Sequence, residues 1–161
     1  MSIQSPTLRA AGAMLLALAL ALPVRAADAA TGSAAANAVL VRAAFDAWRD
    51  GTGSVFDLLA DDVEWQVAGS SPVSGIYRGR QAFMARAVQP INARLSTPIT
   101  PEVRHVVAQD DAVVVLWDGI ATARDGSTYR NSYAWHMVLD RGRVVRVVAF
   151  LDTWALDALM R

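Results

Sequence analysis

The stretch from Ala112 to Asp152 constrains this chain more than any other. It reads as three long β-strand runs, AVVVLWDGIATAR, STYRNSYAWHMVL and VVRVVAFLD, separated by Asp125-Gly126 and by Asp140-Arg141-Gly142-Arg143. Val, Ile, Tyr, Trp and Thr dominate the runs, and Asp-Gly predicts a two-residue hairpin turn. In the second turn Gly142 supplies a position that tolerates positive φ. An antiparallel meander this apolar needs a cover on one face, and the preceding segments carry helical patterns suited to that role.

At the N-terminus, Arg9 is followed by thirteen uncharged residues from Ala10 to Leu22, then Pro23 and the small-residue site Val24-Arg25-Ala26. This is the layout of a secretory leader, with cleavage expected after Ala26. The apolar run is shorter than the about 20 residues a membrane span needs. The expected organisation is a signal peptide over 1–26, a disordered tether over 27–36 and one domain over 37–161. The expected location is periplasmic or secreted, with no stable membrane anchor once the leader is removed.

The chain has no cysteine, so neither a lipidated cysteine nor a disulfide accompanies export. All fifteen basic residues are arginine, which excludes Schiff-base and lysine-nucleophile chemistry. Removing Arg9 and Arg25 with the leader leaves 13 basic against 15 acidic residues, a net charge of −2. With no basic run, no nucleic-acid partner is expected.

Val41, Ala44, Phe45 and Trp48 predict a helix from Asn37, with Asn37 as N-cap and Gly51 and Gly53 as its end. Ser54 and Asp57 are spaced as a capping box for a short second helix over 55–60. Asp61-Asp62 reads as a turn into a strand over 63–67, and residues 69–79 as a loop. A third helix is expected over 80–88, stopped by Pro90. A strand over 102–108 leads into the meander, and Asp152 or Thr153 caps a closing helix. Helices gathered on one face of a curved antiparallel sheet make an α+β domain.

This order, with Leu58-Leu59-Ala60-Asp61-Asp62-Val63-Glu64-Trp65, Gly75-Ile76-Tyr77-Arg78-Gly79-Arg80 and the run from Gly142 to Thr153, resembles the SnoaL-like branch of the nuclear transport factor 2-like superfamily. The resemblance implies a cone-shaped sheet wrapped around three N-terminal helices, a pocket in the cone and frequent dimers. It does not imply a reaction, because the superfamily holds isomerases, epoxide hydrolases, cyclases, dehydratases and non-catalytic proteins. The ketosteroid-isomerase base falls on Val67, its oxyanion-hole acid on Trp135 and its tyrosine near Ala43 or Ala44. The epoxide-hydrolase set falls on Trp117, Gly119, Ala149, Trp65 and Val67, and the SnoaL acid/base on Ala149. None of these positions holds a titratable side chain.

Strand alternation turns these positions into a face. Val63, Trp65 and Val67 point inward together, as do Val113, Val115 and Trp117, Asn131, Tyr133 and Trp135, and Val145, Val147 and Ala149. The same counting sends Val103, His105 and Val107 inward. Glu64, Gln66, Asp118, His136 and Arg146 fall outside. The expected pocket is lined by Trp65, Val67, Trp117, Trp135, Val147 and Ala149, and it suits a small hydrophobic molecule. Tyr133, Asn131 and His105 are its polar groups. As catalytic candidates, His105 would be the base and Tyr133 and Asn131 its orienting or carbonyl-binding partners.

Each residue has a plainer role as well. His105 reads equally as a core or rim histidine, and Tyr133 and Asn131 as groups that satisfy each other. The tryptophans read as cone filler and Asp152 as a helix cap. Two histidines without a carboxylate cluster imply no metal, and nothing implies a cofactor. Three functions stay open: a ligand-binding module, a SnoaL-like enzyme, and a protein that pairs through the outer face of its sheet. For the last, Val114, Leu116 and Ile120 form an apolar set fit for a homodimer.

Overall fold

The computed structural model describes residues 33–161; the leader and most of the expected tether lie outside them. The expected tether runs to residue 36, yet helix α1 already spans Ala34–Arg49. Ser33, rather than Asn37, is its cap, its hydroxyl accepting from the Ala36 N–H at 3.2 Å. Asn37 is instead buried inside the first turn. Val41 and Phe45 form the buried stripe of α1, and the helix packs against β3 (Thr100–Gln109) and β4 (Ala112–Thr122).

The capping box at Ser54 is present, but it starts a single 3-10 turn over Val55–Leu58. Strand β1 follows at once over Leu59–Val67, so Asp61-Asp62 lies within the strand rather than in a turn before it. Its pairing is irregular between Leu59 and Glu64. The expected loop contains a short strand, β2 (Gly75–Arg78), antiparallel to β1.

The third helix is composite and continues past Pro90. It comprises α2 (Arg80–Phe83), a π-helical turn (Met84–Val88) and α3 (Gln89–Ala93). Proline normally breaks a helix by clashing with the carbonyl one turn back. Here the turn widens just before it, with the Gln89 N–H bonded to the Met84 carbonyl five residues earlier. That widening accommodates the ring without ending the helix.

Two further strands, β5 (Thr128–Asp140) and β6 (Arg143–Leu151), complete a curved, unclosed six-stranded sheet in the order β2-β1-β6-β5-β4-β3. The pairs are antiparallel except β1 with β6, which is parallel. The fold is therefore the expected α+β cone with N-terminal helices inside it.

The turns differ in length. Ala123 donates to the Ser127 carbonyl at 2.8 Å, leaving Arg124, Asp125 and Gly126 as a three-residue loop rather than a two-residue one. Arg141 and Gly142 form a true two-residue turn, with φ of 48° and 76°. Positive φ at both central residues matches the right-handed twist of the flanking strands. Helix α4 (Thr153–Met160) closes the chain, capped as expected by Asp152, whose carboxylate accepts from the Trp154 and Ala155 N–H groups.

Candidate functional site

The central hairpin sets the inner wall of the cone. Strands β4 and β5 pair without interruption from Ala112↔Val138 to Thr122↔Thr128. Alternation therefore holds along both, and Val113, Val115, Trp117, Trp135 and Met137 are buried on one face. Trp117 stacks on its cross-strand partner Tyr133, with ring centres 3.9 Å apart and planes 8° from parallel. Gly119 makes room for that stack: a Cβ there would stand 3.1 Å from both rings. Trp135 meets Trp117 and Trp65 edge-on, each at 4.8 Å, and Trp65 stacks on Phe83 at 4.1 Å.

These rings wall a cavity rather than filling it. A space of about 560 Å³ lies between the sheet, the 3-10 turn, the composite helix and α4. Trp65, Val67, Trp117, Trp135 and Ala149 line it as expected. Val147 does not: it is fully buried in the core, flanked in register by Trp65 and Met137. The opposite wall comes from Trp48, Phe56, Phe83, Met84, Ala87 and Val88, with Ile91, Leu95 and Ile99 beyond. Asn92, Ser96, Thr97 and Pro98 line the same space and are exposed, which places the mouth between α3 and β3.

His105 does not belong to this cavity. The β3 ladder shifts between Val103↔Trp117 and His105↔Leu116. The extra residue reverses the alternation beyond it. Val103, Val106 and Ala108 pack inward, while His105 and Val107 are exposed on the outer face. The inward placement of His105 is thus corrected by a bulge. A second bulge does the same on β6, where Val144 rather than Val145 is fully buried.

Asn131 is buried on the inner side but does not line the cavity. Its Oδ1 accepts the Asp152 N–H at 2.9 Å, and its Nδ2 donates to the Asp152 carbonyl at 2.9 Å and to Tyr129 Oη at 3.1 Å. The amide thus ties the start of α4 to β5, and both of its N–H donors are used within the fold. Of the three polar candidates only Tyr133 lines the cavity, its hydroxyl 2.9 Å from that of Tyr129.

Burial raises the ionisation of Tyr133 well above an ordinary phenol, and the neighbouring Tyr129 adds to the shift. Burial also raises Tyr129. Both stay protonated at neutral pH. Nearby, Trp117 Nε1 is fully buried without a hydrogen-bond acceptor, its ring packed against Phe45, Trp48 and Trp135.

Charge sits on the other face. Asp118 accepts from Ser132 Oγ at 2.7 Å and from Arg104 Nε at 2.8 Å, and these two contacts hold its carboxyl below the usual range. Glu102 extends the network through Arg104. Among the described residues, no three His, Asp or Glu gather as a metal set.

The missed wall residues left a partial trace in the sequence. Phe83, Met84, Ala87 and Val88 recur at helical spacing within the expected third helix, where Phe83 and Ala87 read as inward, and only Ile91 requires the stripe to be read through Pro90.

The fold recurs in solved structures. Bal32a from a soil-derived mobile gene cassette superposes with a TM-score of 0.67 at 24% identity, over 81% of this chain and all of that one. An NTF2-like protein of unknown function from Burkholderia pseudomallei gives 0.65 at 22%, over 77% and 96%. A putative SnoaL-like polyketide cyclase from Jannaschia gives 0.59 at 16%, over 77% and 90%. No curated protein matches the chain. The sequence model of the SnoaL-like domain matches residues 41–147, which is more than half of the 161. The chain therefore belongs to the SnoaL-like domain family, within the nuclear transport factor 2-like fold.

Proposed function

We propose that this protein binds a small, neutral, hydrophobic molecule in the cone. One observation carries the reading: among the described residues, Tyr133 is the sole titratable side chain on a cavity wall otherwise built from aromatic, aliphatic and small polar residues. An apolar cleft of a few hundred Å³ with few polar groups is the usual form of a small-molecule site. A charged ligand would lose its hydration there without a counter-charge.

Catalysis in this cavity would have to proceed without a carboxylate or imidazole base on its wall, since His105 faces outward. Binding is therefore favoured over isomerase or hydrolase chemistry. The test is a tryptophan-fluorescence titration with fluorene and with its carboxylate derivative. Saturable quenching by fluorene, with much weaker quenching by the carboxylate, is expected. Equal binding of the two, or none of either, contradicts the reading.

The outer face supports a second role, self-association. Leu116, Ala134 and Phe150 lie side by side across β4, β5 and β6, with Val107 on the neighbouring row, and Leu116, Phe150 and Val107 are exposed. The surround carries both signs, Glu102 and Asp118 beside Arg104 and Arg130. A second copy therefore meets no single-sign repulsion. A dimer in sedimentation that Phe150→Glu converts to monomer supports this role; a wild-type monomer at high concentration contradicts it. Export through the 1–26 leader belongs to the same proposal. A mature chain beginning at Ala27 outside the cytoplasm supports it, and a full-length cytoplasmic chain contradicts it.

A further inference from the structure

We infer that the ligand carries a carbonyl or similar acceptor and that Tyr133 donates its phenolic hydrogen to it, aimed there by Asn131 and Tyr129. This deepens, and rests on, the reading of the cone as a site for a neutral hydrophobic molecule.

The argument follows hydrogen-bond direction along a chain of three side chains. A backbone N–H only donates, so the bond from Asp152 N fixes the facing Asn131 atom as its carbonyl oxygen. The other end of the amide is then the NH2 group, and its bond to Tyr129 Oη makes that oxygen an acceptor. Tyr129 is buried, and its own hydrogen has Tyr133 Oη at 2.9 Å. If Tyr129 donates there, every Tyr129 bond is satisfied and the Tyr133 hydrogen is left for the cavity that Tyr133 lines. If Tyr133 donated instead, the Tyr129 hydrogen would be buried without an acceptor, which costs roughly 1–3 kcal/mol. The first arrangement wins on that difference.

The Tyr133 ring stacks on Trp117 and lines the cavity, which orients its phenol against both the cavity and Tyr129. Tyr133 also remains protonated at neutral pH, so it keeps a hydrogen to offer while its oxygen accepts from Tyr129. Of the other hydroxyls on the wall, Ser96 gives its hydrogen to the Thr122 and Ala123 carbonyls, and Ser54 and Thr97 accept from backbone N–H groups; Asn92, Ser96 and Thr97 stand exposed at the mouth, whereas Tyr133 stacks on the buried Trp117. The acceptor is thus read at Tyr133, and the rest of the ligand by aromatic rings.

The test uses fluorene and fluorenone, which share a skeleton and differ by one carbonyl, as probes of the purified protein. Tyr133→Phe is expected to weaken fluorenone about tenfold and to leave fluorene unchanged. Tyr129→Phe, which keeps the Tyr133 phenol but removes the hydrogen that orients it, is expected to weaken fluorenone about threefold. In the wild type, the carbonyl stretch of bound fluorenone should lie below its value in an alkane. This last measurement does not depend on any variant folding.

An unshifted stretch, or an equal loss of both probes in Tyr133→Phe, overturns the donor assignment and leaves the binding reading intact. An unchanged preference in Tyr129→Phe overturns the relay. Retention in Tyr133→Phe with loss in Trp117→Phe would move the donor to the unpaired indole and overturn the role of Tyr133. If neither probe binds the wild type, the binding reading falls and the donor falls with it.

Discussion

On the inner face of the sheet, Trp65, Trp117, Tyr133 and Trp135 meet ring against ring around a cavity in whose wall, among the described residues, no charged side chain stands. On the outer face the same strands carry Glu64, Asp118, His136 and Arg146, and β3 adds Glu102, Arg104 and His105. One backbone serves two solvents because successive side chains point opposite ways. The difference bears on function. The carboxylates and imidazoles of these strands face outward, while the described cavity wall carries aromatic rings and the Tyr133 phenol. This contrast is what motivates the proposal that the cone holds an uncharged molecule.

The sharpest contrast is between neighbours on one strand. Trp117→Ala should destabilise the fold by about 3–5 kcal/mol, because it opens a hole where Phe45, Trp48, Trp135 and Tyr133 converge. Leu116→Ala, one residue away on the outer face, should cost under about 1 kcal/mol. Urea unfolding of the two variants measures the difference, and similar losses would break the comparison.

Asn131→Ala comes next, at about 2–3 kcal/mol. It strips partners from the Asp152 N–H and carbonyl and from Tyr129 Oη. Thermal unfolding should show the loss. A neutral result would mean that α4 is held without this amide.

High pH probes the inner face selectively. Tyr129 and Tyr133 ionise less readily when folded. Their contribution to stability is therefore complete below the unfolded phenol value of about 10 and is lost as pH rises toward the higher folded values. In a Tyr77→Phe variant these two are the remaining phenols. Its phenolate absorbance should then rise together with the loss of far-ultraviolet ellipticity. Phenolate forming while the fold persists would show that these hydroxyls are open to solvent.

The smallest effect belongs to the outer face. His105→Ala should change stability by no more than about 0.5 kcal/mol and leave fluorene affinity unaltered. A clear loss of affinity would return His105 to the site.

The sequence carried the inner wall wherever pairing is regular. Trp65, Val67, Trp117, Trp135 and Ala149 were legible because β1 near Trp65, β4 and β5 keep a strict two-residue period. His105 and Val145 were misplaced because each lies at or next to a bulge, and a bulge leaves no composition signal in Arg104-His105 or Val144-Val145. The strand β2 is only four residues long, and it hid in a stretch rich in Ser and Gly. Only the continuation of the helical wall to Ile91 was obscured by Pro90, whose rule as a breaker gave way to a π turn. The tie from Asn131 to Asp152 joins residues 21 positions apart, and local spacing could not reveal it.

The measurement that bears most directly on the account is a fluorene titration of the wild type beside Ala87→Trp. Ala87 lies on the π turn with its side chain in the cavity wall. An indole there would project from the helical wall into the space opposite the sheet. The account predicts saturable quenching in the wild type and its loss in Ala87→Trp, with the ellipticity of the two proteins alike. Equal affinity in both, or no saturation in the wild type, would show that the cone is not where a hydrophobic molecule binds.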